Sequence, residues 1–113
     1  MPEYERKETV LLTKDADKML CYLYKEYLER VKVGSSKRDA RKFTSEYFSE
    51  NPPFADWHPD DVAMVRSELS RCKYLKANII GGVEFTEDGI SYMENRFKNN
   101  LNEITDFITK FIP

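Results

Sequence analysis

The segment HPDDVAMVRSELSRCKYLKANIIGGVEFTEDGISYME, His58–Glu94, changes its hydrophobic period twice, and that reading decides the fold. Pro59 stands where a first helical residue stands, with φ already set and no N–H to waste. His58 is then the N-cap, and Asp60 and Asp61 bring negative charge to the positive end of the helix. Val62, Val65, Leu69 and Cys72 form one helical stripe, flanked by Met64 and Tyr74. The other face carries Ala63, Arg66, Ser67, Ser70, Arg71 and Lys73. Beyond Lys73 the period becomes two. Leu75, Ala77 and Ile79 alternate with Lys76, Asn78 and Ile80, which predicts a half-buried strand. Gly81-Gly82 supplies the positive φ of a two-residue hairpin turn, and Val83 and Phe85 alternate with Glu84 and Thr86 on the return. Thr86 reads as the N-cap of a helix with the stripe Ile90, Met93 and Phe97.

Working outward, residues 1–12 are charged and aperiodic and read as an N-terminal arm, with Val10, Leu11 and Leu12 docking on the body. Residues 13–113 read as a single domain. Thr13 or Asp15 caps a long first helix with the stripe Ala16, Met19, Leu20, Leu23, Tyr27, Leu28 and Val31, with Cys21 and Tyr24 beside it, ended by Gly34. Val31-Lys32-Val33 is a candidate for a very short strand. Ser36 opens a second helix, with Ala40, Phe43, Tyr47 and Phe48 on one side, stopped by Asn51-Pro52-Pro53. Phe54, Ala55, Asp56 and Trp57 then form a loop whose aromatics pack down as a lid, and any aromatics left exposed would mark a partner site. Residues 98–112 form an extra C-terminal helix, either continuing the Thr86 helix or breaking from it at Asn99-Asn100. Its wide apolar face either closes the core or pairs with its copy in a dimer. On the second option Leu101, Ile104, Phe107, Ile108 and Phe111 are the interface.

The chain has 113 residues, 41% hydrophobic and 13% aromatic, enough for a core in one small α+β domain. Its net charge of -2 argues against broad nucleic-acid binding and leaves that to local patches. Six cations (Arg30, Lys32, Lys37, Arg38, Arg41, Lys42) stand in 30–42 beside Asp39 alone. Residues 44–61 hold five carboxylates (Glu46, Glu50, Asp56, Asp60, Asp61) and no Lys or Arg. Residues 66–76 hold four cations (Arg66, Arg71, Lys73, Lys76) and Glu68. The two basic runs could join into a phosphate-binding surface; solvated helix faces are the plainer explanation. Cys21 and Cys72 sit in helical apolar patterns and read as reduced core residues of a cytoplasmic protein. The N-terminus lacks a signal-type apolar core and no apolar run spans a bilayer, so no membrane partner is expected. One histidine and two distant cysteines show neither metal-ligand spacing nor a catalytic constellation, so no metal, no cofactor and no enzymatic activity are expected.

Helix, short strand, helix, helix, hairpin, helix is the order of the winged-helix superfamily, which the chain resembles over roughly residues 13 to 97. The likeness is carried by Leu69–Leu75 leading into the hairpin and by Phe85-Thr86-Glu87-Asp88-Gly89-Ile90-Ser91-Tyr92-Met93. That run is similar to the apolar-Thr-x-x-Gly-apolar-x-aromatic-Leu/Met sequence following the wing in small bacterial and phage winged-helix proteins. The resemblance implies a winged helix-turn-helix with a two- to three-stranded antiparallel sheet. It also implies that Pro59–Lys73 is a recognition helix for double-stranded DNA. Lys37, Arg38, Arg41, Lys42, Arg66, Ser67, Ser70, Arg71, Lys73 and Lys76 would then be the DNA-facing residues. A transcriptional regulator is the first expectation. The alternative is a protein-interaction or adaptor module, favoured by Asp60 and Asp61 at the helix end that meets bases, by the minimal wing and by the acidic total charge.

Overall fold

The computed structural model describes residues 11–98 and 101–111, with the side chain of Phe111 outside the description. It is mostly helical, with one small antiparallel sheet: α1 (Lys14–Lys32), α2 (Lys37–Ala40), β1 (Lys42–Phe43), α3 (Ser45–Glu50), a 3-10 turn (Phe54–Asp56), α4 (Pro59–Arg71), β2 (Leu75–Ala77), β3 (Val83–Phe85), α5 (Glu87–Phe97) and α6 (Leu101–Ile108). The strands lie in the order β1-β3-β2.

Helix α1 is the axle. Thr13 caps it, its hydroxyl accepting from the Ala16 N–H at 3.2 Å. Ala16, Met19, Leu20, Cys21, Leu23, Tyr24 and Tyr27 are all buried, a wider band than one stripe, because α4 and α6 pack on α1 and Phe85 of the sheet meets Tyr24 and Tyr27. The expected strand at Val31–Val33 is instead the last turn of α1 and its cap, and Val33 is exposed.

The first strand lies further on, within the stretch whose spacing predicts one helix from Ser36. Two caps divide that stretch. The Ser36 hydroxyl accepts from Asp39 N–H and the Thr44 hydroxyl from Tyr47 N–H. Between them Phe43 is drawn onto the sheet, where it meets Phe85 and Tyr47 and lies 4.4 Å beneath the Arg30 guanidinium. Lys42 pairs with Glu84 and Phe43 with Val83. Arg30 also donates to the carbonyls of Ala40 and Lys42, so the outer edge of this two-residue strand is capped by a side chain.

Helix α4 starts as the sequence dictates, with His58 Nδ1 accepting from Asp60 N–H at 3.0 Å. It ends in a Schellman pattern: Lys73 N–H donates to Ser70 C=O and Tyr74 N–H to Leu69 C=O. Lys73 holds φ 67, a left-handed conformation that glycine adopts without strain. Replacing Lys73→Gly should therefore raise stability by about 0.5–1 kcal/mol, net of the extra freedom glycine has in the unfolded chain. The check is a higher denaturant midpoint at unchanged slope.

The hairpin differs from the expected Gly-Gly turn. Leu75, Lys76 and Ala77 pair with Phe85, Glu84 and Val83, which leaves residues 78–82 as the loop. Asn78 organises it: its Oδ1 accepts from the N–H groups of Ile80 and Gly82, and its backbone N–H donates to Gly82 C=O. Ile79 and Ile80, assigned to strand by alternation, occupy the tip of this loop and are exposed, and Ala77 is exposed as well.

Thr86 caps α5 through Gly89 N–H. Helix α5 ends at Phe97 with Lys98 left-handed, so the C-terminal helix is a separate element. Helix α6 folds back on α1. Ile104 and Ile108 are buried, Leu101 and Phe107 are half-buried, and Phe107 packs on Phe97. The face offered above for a dimer is, at Ile104 and Ile108, part of the chain's own core. Of the N-terminal arm, Leu12 packs against the core and Leu11 is exposed, while residues 1–10 and with them Val10 lie outside the described residues, as does Ile112.

Candidate functional site

Three elements meet around α4: the helix itself, the 78–82 loop and the α3–turn segment. Val62, Val65 and Leu69 are its buried stripe, so Asp60, Ala63, Met64, Ser67 and Arg71 form the outward face. That face carries one cation. Met64, at its middle, is 64% exposed.

Arg66 is occupied elsewhere. Its Nη1 donates to Gly81 C=O in the hairpin loop, and its guanidinium lies 5.9 Å from the Phe48 ring centroid, so it ties α4 to that loop and to α3. Glu68 is likewise structural: its carboxylate accepts from the Thr13 N–H at 2.9 Å and hydroxyl at 2.8 Å, pinning the start of α1. Arg41 is half-buried, and its Nε is buried without a hydrogen-bond partner among the described residues. Ser70 is half-buried too. The exposed members of the expected DNA-facing set are Lys37, Arg38, Lys42, Ser67, Arg71, Lys73 and Lys76. Two of the cations are brought together, because Lys42 and Lys76 both register against Glu84 across the sheet, making a Lys–Glu–Lys row on one face.

Between α3, the 3-10 turn and the start of α4 lies a cleft of about 270 Å³. Phe48, Phe54, Trp57, Pro59 and Val62 supply its apolar wall, with Ser45, Ser49, Ala55 and Arg66 completing it. The rings interlock edge to face: Phe54 meets Trp57 at 5.2 Å and Phe48 at 5.5 Å. The lid expected of Phe54 and Trp57 thus forms a cleft wall together with Phe48 of α3, a juxtaposition that spacing along the chain does not reveal. What the sequence does show is aromatics interleaved with a run of carboxylates that has no counter-charge.

Neither thiol is set up as a nucleophile. His58 is exposed and spends Nδ1 on its cap, whereas Cys21 is fully buried. Burial, and then the nearby Asp17 carboxylate, push the Cys21 thiol up to about 12, and burial raises the half-buried Cys72 as well. In the unfolded chain a thiol ionises near 9.0, so between that pH and about 12 the native state keeps a proton the unfolded state has lost. Stability should then fall as pH rises, by about 1.4 kcal/mol per pH unit for this group. Cys21→Ala should make the alkaline limb of a stability–pH curve shallower by about that slope. The buried Tyr24 and Tyr27 and the half-buried Tyr47, itself pushed up to about 12, add to the same limb and remain in the variant.

Among the described residues no group of three or more His, Cys, Asp and Glu gathers to hold a metal ion, and no helix is long and apolar enough to cross a membrane. Compared with protein-family models, curated proteins and solved structures, the chain finds no match in any of the three.

Proposed function

We propose that the chain is a winged-helix module that works by docking a protein partner on the α4 side of the molecule. The order of helices and strands and the β1-β3-β2 sheet support the winged-helix part of this reading. One observation carries the choice of partner: the surface that would enter a DNA groove is acidic and apolar. Asp60 and Asp61 stand at its leading end, Met64 at its centre, and Ile79 and Ile80 at the tip of the adjoining loop, while Arg66 is turned inward. Carboxylates repel phosphate, and an exposed apolar group gains most by meeting another protein. A second reading, a DNA-associated regulator, draws on the exposed Lys37, Arg38, Lys42, Arg71, Lys73 and Lys76. Two free thiols fit a cytoplasmic setting for either.

Titration with random-sequence duplex DNA across a salt series separates the two. The protein-docking reading expects no complex even at low salt. A complex whose affinity falls steeply with salt, and which weakens on Lys42→Ala or Lys76→Ala, would replace it with the DNA reading, since phosphate contacts release counterions.

A further inference from the structure

We infer that the cleft between α3, the 3-10 turn and the start of α4 is a docking site for a basic peptide segment with one large apolar anchor residue. The inference rests on the protein-docking reading above and names the partner's chemistry.

Size argues for a side chain. Pockets that bury a drug-sized ligand run from about 300 to 1,000 Å³, and this one holds about 270 Å³, room for one bulky side chain. Its wall is built for an apolar guest: three aromatic rings, a proline and a valine in one patch. Trp57, half-buried, is the largest of the three rings in this wall.

Charge argues for the flanks of that guest. Glu46, Glu50, Asp56, Asp60 and Asp61 are each the sequence neighbour of a lining residue, and all five are exposed. No Lys or Arg lies in residues 44–61. The one cation on the wall, Arg66, is turned to Gly81 C=O and the Phe48 ring. An apolar cleft whose flanking segments carry exposed carboxylates and no Lys or Arg attracts cationic flanks and rejects acidic ones, which sets both on-rate and specificity.

The test is selection of a random displayed-peptide library on the full chain, followed by titration of the selected peptides. Trp57 is the only tryptophan and stands in the cleft wall, so its emission reports occupancy directly. Selected peptides should share a Phe, Trp or Leu flanked by Lys and Arg and should change Trp57 emission saturably. Ser49→Phe, at an exposed lining position, should block the mouth and weaken binding at least tenfold. The charge reversal Glu50→Lys with Asp56→Lys should weaken it similarly, and circular dichroism checks that both variants fold. Peptides that bind Ser49→Phe as tightly as the parent would overturn the cleft while leaving protein docking in place. Selection of acidic peptides, or of none, would also overturn the inference. A salt-sensitive duplex complex with no selected peptide would remove both readings.

Discussion

Replacing Gly89→Ala should cost about 3 kcal/mol, from the upper part of the range for forcing atoms into a packed interior. A Cβ at Gly89 would sit 2.2 Å from the carbonyl oxygen of Tyr74 and 3.0 Å from Cδ1 of Phe85. The first neighbour is backbone and is not free to move. The same Tyr74 carbonyl accepts from Thr86 N–H at 3.1 Å and lies 3.1 Å from the Thr86 hydroxyl, which also reaches Lys73 C=O at 2.6 Å. The start of α5 is thus docked onto the corner between α4 and β2, and a methyl group can enter only by prising the two apart. Glycine is needed here for space, because Gly89 is not among the positive-φ residues. Gly34, by contrast, has φ 114 and open space around a built Cβ, so Gly34→Ala costs only its strain, about 1–2 kcal/mol. For a domain of this length the Gly89 variant should melt roughly 10–15 °C lower. A change under 1 kcal/mol would mean that α5 can slide on its corner.

This corner shows what was legible in the sequence. Capping is local chemistry: Thr13, His58 and Thr86 cap the helices their spacing announces, and Ser36 is a cap as well, though of a helix only four residues long. Period is local too, and the stripes of α1, α4 and α5 face the core, buried throughout except at Leu28, Val31 and Cys72, which are half-buried. Where two local readings compete, tertiary contacts decide. Ala40, Phe43, Tyr47 and Phe48 fit one helix by spacing, but pairing of Phe43 with Val83 breaks it into helix, strand and helix. Ile79 and Ile80 continue a strand alternation, but Asn78 closes the loop ahead of them and leaves both in solvent.

The candidate site was less legible than the fold for a related reason. Sequence gives charge type and spacing but not which way a long side chain turns. Arg66 and Arg41 read as surface cations by type, whereas one ties α4 to the hairpin loop and the other is half-buried. Once those two are withdrawn, the outward face of α4 holds Asp60, Met64 and Ser67 ahead of its one cation, Arg71. A surface of that composition lacks the row of donors that positions a protein on phosphates. The exposed Ile79 and Ile80 and the aromatic cleft both adjoin α4, the loop through Arg66 and the cleft through Pro59, Val62 and Arg66, and the proposed partner docking rests on these surfaces.

A second large effect is expected at Arg96, which no local spacing reveals because its partner lies 79 residues away. Its guanidinium grips Asp17 with both forks, Nη1 to Oδ1 at 2.6 Å and Nη2 to Oδ2 at 3.0 Å. It also lies over the rings of Phe97 at 5.0 Å and Phe107 at 4.7 Å, so one side chain joins α1, α5 and α6. The two charged side chains are only 25% and 24% exposed, between the surface pairs worth 0–1 kcal/mol and the fully buried ones whose breaking costs 3–5. Arg96→Met keeps the apolar stem and strands the Asp17 carboxylate beside the Cys21 thiol, 3.9 Å away, so about 2 kcal/mol should be lost. Asp17→Asn keeps an acceptor for Arg96 and should cost less, about 1 kcal/mol. The double variant should lose less than the two singles together, with a coupling of about 1 kcal/mol, because Arg96→Met strands no charge once Asp17 is neutral. The bond to Asp17 raises the Arg96 pKa further still, so the pair survives any alkaline pH at which the fold itself survives. Denaturant midpoints of the four proteins complete the cycle. Strict additivity would show that the fork contributes nothing and that Arg96 acts only through its packing on Phe97 and Phe107.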